Sequence, residues 1–315
     1  MNKYDIVPVF IMGAPRSGTT LLASSIAGHQ RIIALPEMHY IFSIMKEEQD
    51  FGKLNIQRNI DFLKNNFHFC LLNLFHSVNE LKCFIEGKDS KTFIIELINL
   101  YNEKYHHKDF THWVEHSPHS HLFIQDIIKI FPNAKFIHII RDPRAVYSST
   151  IREPWGYKDI ITGAKNWNNN IRNIISKEKE YNIFTIKYED FVSHQEKILK
   201  KIVEYIDIEY SDKMLENKGL VLPEYIEKRL NYFGTKTDTN KNKKWERFLS
   251  KKEILHINAI NYELMKMNGY DYKLDRKKAI TGFEKKIIEK IGNYRHTRSR
   301  KRFLKKMRKI FCHIN

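Results

Sequence analysis

The sequence predicts an α/β fold with three layers, in which helices flank both faces of a parallel sheet. Three continuous apolar runs, at residues 7–12, 134–140 and 183–187, have the length of buried strands. Each run is followed by a segment with helical spacing of its apolar residues. Strands that are apolar throughout and alternate with helices are typical of parallel sheets covered on both faces.

The remaining segments complete this arrangement in chain order. We expect helices over residues 19–28, 122–131, 159–181 and 251–267, a helix ending near 206, and a short strand over 111–115. Residues 41–105 combine leucine, isoleucine and phenylalanine with lysine and asparagine at helix-like spacing, which predicts a helical insertion. Residues 230–244 look like a long loop, and such loops are often functional.

Positive charge is concentrated at one end of the chain. The formal net charge is +17, but residues 276–315 hold 15 lysines and arginines against two acids, which leaves +4 for residues 1–275. We therefore divide the chain into a nearly balanced domain, 1–275, and a basic helical tail, 276–315. Within the tail, one side of a helix over 298–311 would carry five apolar residues: Phe303, Leu304, Met307, Ile310 and Phe311.

A basic amphipathic helix of this kind is typical of proteins that bind an anionic membrane surface. A solvated tail, or a helix packed on the domain, is the alternative. We expect no nucleic-acid partner, because no aromatic stacking platform accompanies the tail.

Several absences in the sequence bear on location. The chain has no apolar stretch of membrane-spanning length, no Asn-x-Ser/Thr sequon, and three cysteines without metal-like spacing. We expect a cytoplasmic protein, with the tail as a peripheral contact to the inner face of the membrane.

The segment after the first strand has the pattern of an anion-binding loop. A Gly/Pro turn there leads directly into a helix and carries Arg16, Ser17, Gly18, Thr19 and Thr20. Backbone N–H groups and the helix dipole favour an anion at such a point, which makes the predicted sheet P-loop-like. The loop lacks the lysine of a Walker A motif, and this disfavours a kinase. An ordinary tight turn is the alternative.

A second set of residues suggests another anionic group nearby. Arg141 ends the apolar run 134–140, and Ser149 follows eight residues later. Tyr188 comes directly after the third run, and Lys244 closes the predicted long loop. Ligands of open α/β sheets bind at the carboxyl ends of strands. Two anion sites on one sheet suggest a nucleoside with phosphates at two positions.

With these motifs the chain resembles the sulfotransferases that use 3′-phosphoadenosine 5′-phosphosulfate (PAPS), over about residues 7–272. The resemblance implies that Arg141 and Ser149 hold the 3′-phosphate and that Tyr188 and Lys244 line the cofactor site. It implies that the 5′-phosphosulfate is held by Arg16, Ser17, Gly18, Thr19 and Thr20. Arg16 would then sit where the sulfate leaves the donor and act in catalysis.

The similarity is greatest to the branch of that family that uses a glutamate base. Leu35-Pro-Glu37 places a carboxylate 21 residues beyond Arg16, as in the tyrosylprotein enzymes. Glu37 is then the general base, and burial would raise its pKa to suit that task. His39 is the rival base, and an exposed helix-cap role for Glu37 is the remaining alternative.

We expect no metal, because a transferring sulfuryl group carries less charge than a phosphoryl group, and arginines and backbone donors can supply the electrostatic stabilisation. Where the family has a lysine before Ser117-Pro118, this chain has His116, which we expect to contribute when protonated. Lys158 or the lysines within 241–244 are alternatives. A threonine within 234–239 would replace a sulfate-binding loop hydroxyl. We expect no zinc site, because the histidines of residues 106–121 lack a recognisable ligand pattern.

The predicted activity is transfer of a sulfuryl group from PAPS to an acceptor hydroxyl by in-line attack. For a cytoplasmic protein near a membrane we expect a saccharide, a glycolipid or a lipid-linked precursor as acceptor, with a protein tyrosine as the alternative. Outside this activity, the alternatives are a P-loop kinase-like phosphotransferase and a non-catalytic adaptor that binds membranes or polyanions.

Overall fold

A five-stranded parallel sheet organises the chain, with strand order β2-β3-β1-β4-β5. The computed structural model describes residues 6–221, 243–273 and 282–313, without the side chains of 282–285, 287, 288 and 311. The strands are β1 Val7–Met12, β2 Ile32–Ala34, β3 His112–Glu115, β4 Lys135–Ile140 and β5 Phe184–Lys187. The predicted three-layer α/β fold is confirmed.

The central strand β1 pairs on both sides. Val7 lies opposite His112 of β3, and Val9 lies opposite Lys135 of β4. All pairings are parallel, so the carboxyl ends of the strands share one edge of the sheet. The loops that follow β1, β2, β3 and β4 therefore emerge side by side.

Alternation along β1 explains why both faces of the sheet are covered. Phe10 and Met12 point to one core, with the helical insertion. Val9 and Ile11 point to the other, with helices α1 and α11. These helices are α1 Thr19–Ile26 and α11 Gln195–Tyr205. Successive side chains of a strand point to opposite faces of the sheet. Because both faces of β1 are covered by apolar side chains, the strand is apolar at every position.

The remaining helices of the sheet region are α7 Ile124–Ile130, α8 Pro143–Thr150, α9 Ile160–Ile175, α10 Tyr188–Ser193 and α12 Lys251–Met267. Two predictions were incomplete. The strand β2 has three residues, too few to show a periodicity, and was not predicted. The helix predicted over 159–181 ends at Ile175, and turns follow as far as Asn182, whose φ is +47°.

The helical insertion predicted over 41–105 is confirmed, with its first helix beginning two residues earlier. It consists of α2 His39–Phe51, α3 Ile56–Leu63, α4 Phe67–Cys70, α5 Val78–Ile85 and α6 Ser90–Tyr105. Four of these helices have capping side chains that accept from the first turn: Asn55, Asn66, Ser77 and Asp89. Asparagine, serine and aspartate are favoured at the N-cap, so these residues mark in the sequence where the helices begin.

The basic tail forms α13, Gly282–Phe311, and packs on the domain. Met307 is 2% exposed, and the ring of Phe303 lies 6.2 Å from that of Phe67. Nδ1 of His296 hydrogen-bonds to the carbonyl of Gly156 over 2.9 Å. The body-packed helix is therefore the arrangement found, and membrane binding stays a prediction. None of the helices within the described ranges combines the length and apolar character needed to cross a membrane.

We predict that Gly292→Ala separates α13 from the domain. A Cβ at Gly292 would lie 2.0 Å from Oδ2 of Asp159, which caps α9 by accepting from the N–H of Thr162. Overpacking of this kind costs about 1–3 kcal/mol. Trypsin should therefore cleave α13 faster by about tenfold or more. Asn293→Ala, at the exposed neighbouring position, is the control. Equal cleavage of both variants and the unaltered chain would contradict the close packing.

Candidate active site

The loop between β1 and α1 has the geometry of an anion cradle. Gly18 precedes α1 with φ +103°, and a Cβ there would lie 2.5 Å from the ring of Tyr188. A Cβ at Gly13 would lie 2.5 Å from the carbonyl oxygen of Ile139. Glycine alone fits at these two points without displacing its neighbours. The loop can thus fold closely against β4 and α10 at the amino end of α1, where an anion is favoured.

Hydroxyl groups complete the cradle. Ser17 is fully buried, and its Oγ has no hydrogen-bond partner among the described residues. Thr19 is buried as well, and Thr20 is half-buried. Buried hydroxyls in proteins are nearly always paired. The Ser17 hydroxyl is therefore a donor that a bound oxyanion would satisfy.

Arg16 joins this loop to the carboxyl end of β4. Its Nε donates to Oγ of Ser149 over 2.9 Å, and its carbonyl accepts from Nη1 of Arg141 over 3.0 Å. Arg16 has φ +73°, a conformation that is uncommon for residues with a side chain and is concentrated at functional sites. Three residues predicted for two separate anion sites thus form one cluster.

Arg141 is held in place and keeps a free donor. Its guanidinium lies 4.0 Å from the centre of the Tyr188 ring, and its carbonyl accepts from Nε1 of Trp167 over 3.0 Å. Its Nε is buried without a partner in the part of the chain that the structure describes. A stacked guanidinium with an unused N–H is suited to a phosphate oxygen.

Glu189, the second residue of the Tyr188-Glu-Asp motif, fixes the start of α8. Its carboxylate accepts from the N–H of Asp142 over 3.1 Å and from the hydroxyl of Tyr270 over 2.9 Å. Burial raises the pKa of Glu189. The motif thus stabilises the segment directly after β4, in addition to its predicted place at the cofactor site.

Lys244 is not brought to the cluster by any contact among the described residues. It is exposed, and within those ranges it makes no hydrogen bond or ion pair. Its neighbour Trp245 is buried, and the guanidinium carbon of Arg144 lies 4.2 Å from the centre of the Trp245 ring. Arg144 also forms an ion pair with Asp142, with 2.6 Å between Nη2 and Oδ2. The predicted cofactor role of Lys244 stays a prediction.

Glu37 and His39 form a pair at the end of β2. Nε2 of His39 donates to Oε2 of Glu37 over 3.0 Å, and the Glu37 side chain is 29% exposed. His68 of α4 lies beside them, with its ring centre 4.9 Å from that of His39. Glu37 is therefore accessible to a substrate while one of its oxygens is held by an imidazole.

The pKa of Glu37 differs from the sequence expectation. Burial opposes ionisation, but the hydrogen bond and charge of His39, with the nearby His68 and His116, outweigh it and lower the pKa to about 2. The expected rise was wrong because pairing with His39, which the sequence suggested only as a rival base, outweighs the effect of burial. Burial acts against protonation of His39 as well, yet its pairing with Glu37 raises its pKa overall.

Glu115, at the end of β3, is a site residue that the sequence reading missed. It is 1% exposed and accepts from the N–H of Met38 over 3.0 Å and of Ser117 over 2.9 Å. The Ser117 hydroxyl also donates to it. One buried carboxylate thus fixes the segments that carry Glu37 and His116. An acid ending an apolar strand was the signal that could have revealed it.

His116 is buried directly after β3, and its predicted role in catalysis stays a prediction. It is 2% exposed, and within the described ranges neither of its ring nitrogens has a hydrogen-bond partner. Lys158, the alternative, is already engaged, because its Nζ donates to the carbonyls of Ile151 over 2.7 Å and Glu153 over 2.5 Å. The threonines of 234–239 and the lysine at 241 lie outside the described residues.

These groups lie on loops that follow neighbouring strands. The cradle follows β1, Glu37 follows β2, His116 follows β3 and Arg141 follows β4. The arrangement combines a cationic anion site with a carboxylate–imidazole pair at one edge of the sheet. It is suited to binding a phosphorylated donor and taking a proton from an acceptor.

Solved structures share this architecture. The sulfotransferase domain from the Synechococcus PCC 7002 olefin synthase superposes with a TM-score of 0.60 at 20% identity, covering 85% of this chain and 96% of that one. The sulfotransferase domain from the curacin biosynthetic pathway gives 0.59 at 18% identity, covering 84% and 98%. At these identities the comparison shows the fold alone.

Sequence relatives point the same way. Protein-tyrosine sulfotransferase 1 of Danio rerio is 25% identical over 232 residues, covering 70% of this chain and 58% of that protein. Protein-tyrosine sulfotransferase A of Caenorhabditis elegans is 25% identical over 234 residues, covering 68% and 53%. The chain thus spans little more than half the length of these relatives. The model of the sulfotransferase family matches residues 8–212, and the chain therefore belongs to that family.

Proposed function

We propose that this chain transfers a sulfuryl group from PAPS to an acceptor hydroxyl. The observation that carries the proposal is the 2.9 Å hydrogen bond from Arg16 to Ser149. It joins the glycine-containing loop to the second predicted anion site, so that one cluster offers donors for phosphates at two positions of a nucleoside. Family membership supports the same activity.

The residues present fit such a donor. The buried Ser17 hydroxyl and Nε of Arg141 lack partners among the described residues, and both suit phosphate or sulfate oxygens. We infer that the loop from Arg16 to Thr20 holds the 5′-phosphosulfate and that Arg141 and Ser149 hold the 3′-phosphate. When bound, PAPS supplies the sulfuryl group and a phosphate leaving group. Arg16 would stabilise the charge that develops at that leaving oxygen.

Glu37 is proposed as the group that takes the acceptor's proton. Its carboxylate is partly exposed and, with a pKa of about 2, ionised throughout the physiological range. Nε2 of His39 donates to this carboxylate over 3.0 Å and holds it in position. His39 remains the alternative base. The buried His116 is proposed to donate toward the charge on the transferring group.

For the acceptor we propose a hydroxyl group of open identity, with a protein tyrosine favoured. The relatives named above are protein-tyrosine sulfotransferases. The saccharide or lipid-linked acceptor expected from the sequence gains no support from them. The missing Walker lysine still argues against a kinase-like phosphotransferase, and an adaptor would not need the Glu37–His39 pair.

We predict that Glu37→Gln lowers the rate of sulfuryl transfer by about 10²- to 10⁴-fold, because an amide cannot accept the proton. Labelled PAPS with tyrosine peptides and with cell extract provides the assay. Binding of adenosine 3′,5′-bisphosphate should be unchanged. Glu86→Gln, at an exposed position of the insertion, is the control. Full activity of the Glu37 variant would move the base elsewhere, to His39 first.

The pH dependence separates the two bases. If Glu37 is the base, kcat should not fall as the pH drops from 8 to about 5, because a carboxylate with a pKa of about 2 remains ionised there. If His39 is the base, kcat should fall as the pH drops through the raised pKa of that imidazole. A pH–rate profile at saturating substrate decides between them.

We predict that Arg141→Ala weakens binding of adenosine 3′,5′-bisphosphate by about 10- to 100-fold, because a charged hydrogen bond to the 3′-phosphate is lost. Binding of adenosine 5′-phosphate should weaken by a smaller factor, because that ligand loses only the support that Arg141 gives to the carbonyl of Arg16. Calorimetry with both ligands measures the difference. Arg58→Ala, whose side chain is 66% exposed, serves as the control. Equal weakening for both ligands would contradict the assignment of Arg141 to the 3′-phosphate.

A further inference from the structure

We propose that Glu37, His39 and His68 form a binding site for a divalent transition-metal ion such as Zn²⁺, and that metal bound there blocks sulfuryl transfer. The metal site stands on geometry alone. Its inhibitory effect rests on the proposed function, in which Glu37 accepts the proton. The sequence predicted no metal, because the site draws on a histidine from the helical insertion that no spacing pattern marks.

The donor atoms of the three side chains converge. One atom from each, a carboxylate oxygen of Glu37 and a ring nitrogen of His39 and His68, lies within 4.8 Å of the other two. Zn–N and Zn–O bonds are about 2.0–2.2 Å long. Two ligands of one ion therefore lie within about 4 Å of each other, and a side-chain adjustment of about 1 Å closes the set. All three side chains are half-buried, which leaves room for that adjustment.

The ligands stand on elements that are themselves fixed. Glu37 and His39 flank Met38, whose N–H is held by the buried Glu115. His68 belongs to α4, which is capped by Asn66. The residue after it, Phe69, packs against Tyr40 with the two ring centres 5.2 Å apart. A preformed set of ligands on two packed elements loses little entropy when it binds an ion.

The chemistry of the set selects the class of ion. Two imidazoles and one carboxylate are donors that zinc and neighbouring transition metals accept, with a fourth position left for water. The buried ring of His116 offers a second, independent observation. It is 2% exposed and precedes Ser117, whose N–H is bound by the same carboxylate that binds the N–H of Met38, yet neither of its nitrogens has a hydrogen-bond partner in the described part of the chain. A buried imidazole near the three ligands is thus left without a partner there.

Metal in this position would oppose catalysis. The ion would bind the lone pairs of Glu37 and His39, which are the groups proposed to accept the acceptor's proton. It would also break the 3.0 Å hydrogen bond between them. Binding would be reversible and would involve no redox step. The site would make transfer sensitive to free Zn²⁺.

The test begins with binding and does not depend on activity. The full chain is stripped with a chelator, then titrated with Co²⁺ in a spectrophotometer and with Zn²⁺ in a calorimeter. We expect the visible absorption band of four-coordinate Co²⁺ and a stoichiometry of one ion per chain. His68→Ala should abolish the band and weaken Zn²⁺ binding by at least about tenfold. His76→Ala, an exposed histidine nearby in sequence, should change neither. Circular dichroism checks that both variants fold.

Activity then tests the inhibitory effect. Zn²⁺ should inhibit transfer by the unaltered chain and by His76→Ala, while His68→Ala should remain active at the same Zn²⁺ concentration. Absence of the Co²⁺ band, or equal Zn²⁺ affinity in His68→Ala, overturns the metal site. Metal binding without inhibition overturns the inhibitory role. If the chain binds Zn²⁺ through His68 but transfers no sulfuryl group, the proposed function fails and the metal site stands.

Discussion

The hydrogen bonds made by Arg16 are the contacts on which the site is built. Its side chain reaches Ser149 at 2.9 Å, and its carbonyl is held by Arg141 at 3.0 Å. These bonds connect the loop after β1 with the strand end and helix after β4, two segments that are more than 120 residues apart in sequence. Parallel pairing of β1 and β4 makes the connection possible, because it places both loops at one edge. The glycines at 13 and 18 keep the loop close enough for it to form.

The domain stabilises its clustered cations with aromatic rings and carboxylates. Arg141 stacks on Tyr188, and Arg144 stacks on Trp245 while it pairs with Asp142. Such contacts offset the cost of burying charge and still leave Nε of Arg141 available. At the end of β3, the buried carboxylate of Glu115 is satisfied by the N–H groups of Met38 and Ser117. Glu115 binds the backbone N–H of Met38, next to Glu37. The carboxylate of Glu37, proposed for proton transfer, is therefore positioned by a second carboxylate, that of Glu115, which accepts hydrogen bonds and has no proposed role in the chemistry.

The sequence was sufficient where a local pattern carried the information. Apolar runs identified three of the five strands, and a fourth was expected as a short strand over 111–115. The glycine loop with Arg16 identified the cradle. It was insufficient where a contact joins distant segments. The three residues of β2 were too few to show a period, and nothing in the insertion marked His68 as a neighbour of Glu37. The pKa of Glu37 was expected to rise through burial, but the adjacent imidazole of His39 reverses the direction. Residues 222–242 lie outside the described ranges, so the threonines and Lys241 within that segment remain predictions.

A single cluster is proposed to hold phosphates at two positions of one nucleoside. Calorimetry on the unaltered chain tests this by comparing adenosine 3′,5′-bisphosphate, adenosine 5′-phosphate and ATP with Mg²⁺. We expect the 3′,5′-bisphosphate to bind at least about tenfold more tightly than either of the others, because it alone would reach both Arg141 and the loop at Arg16. Equal affinity for the bisphosphate and the 5′-phosphate, or tighter binding of ATP, would contradict it.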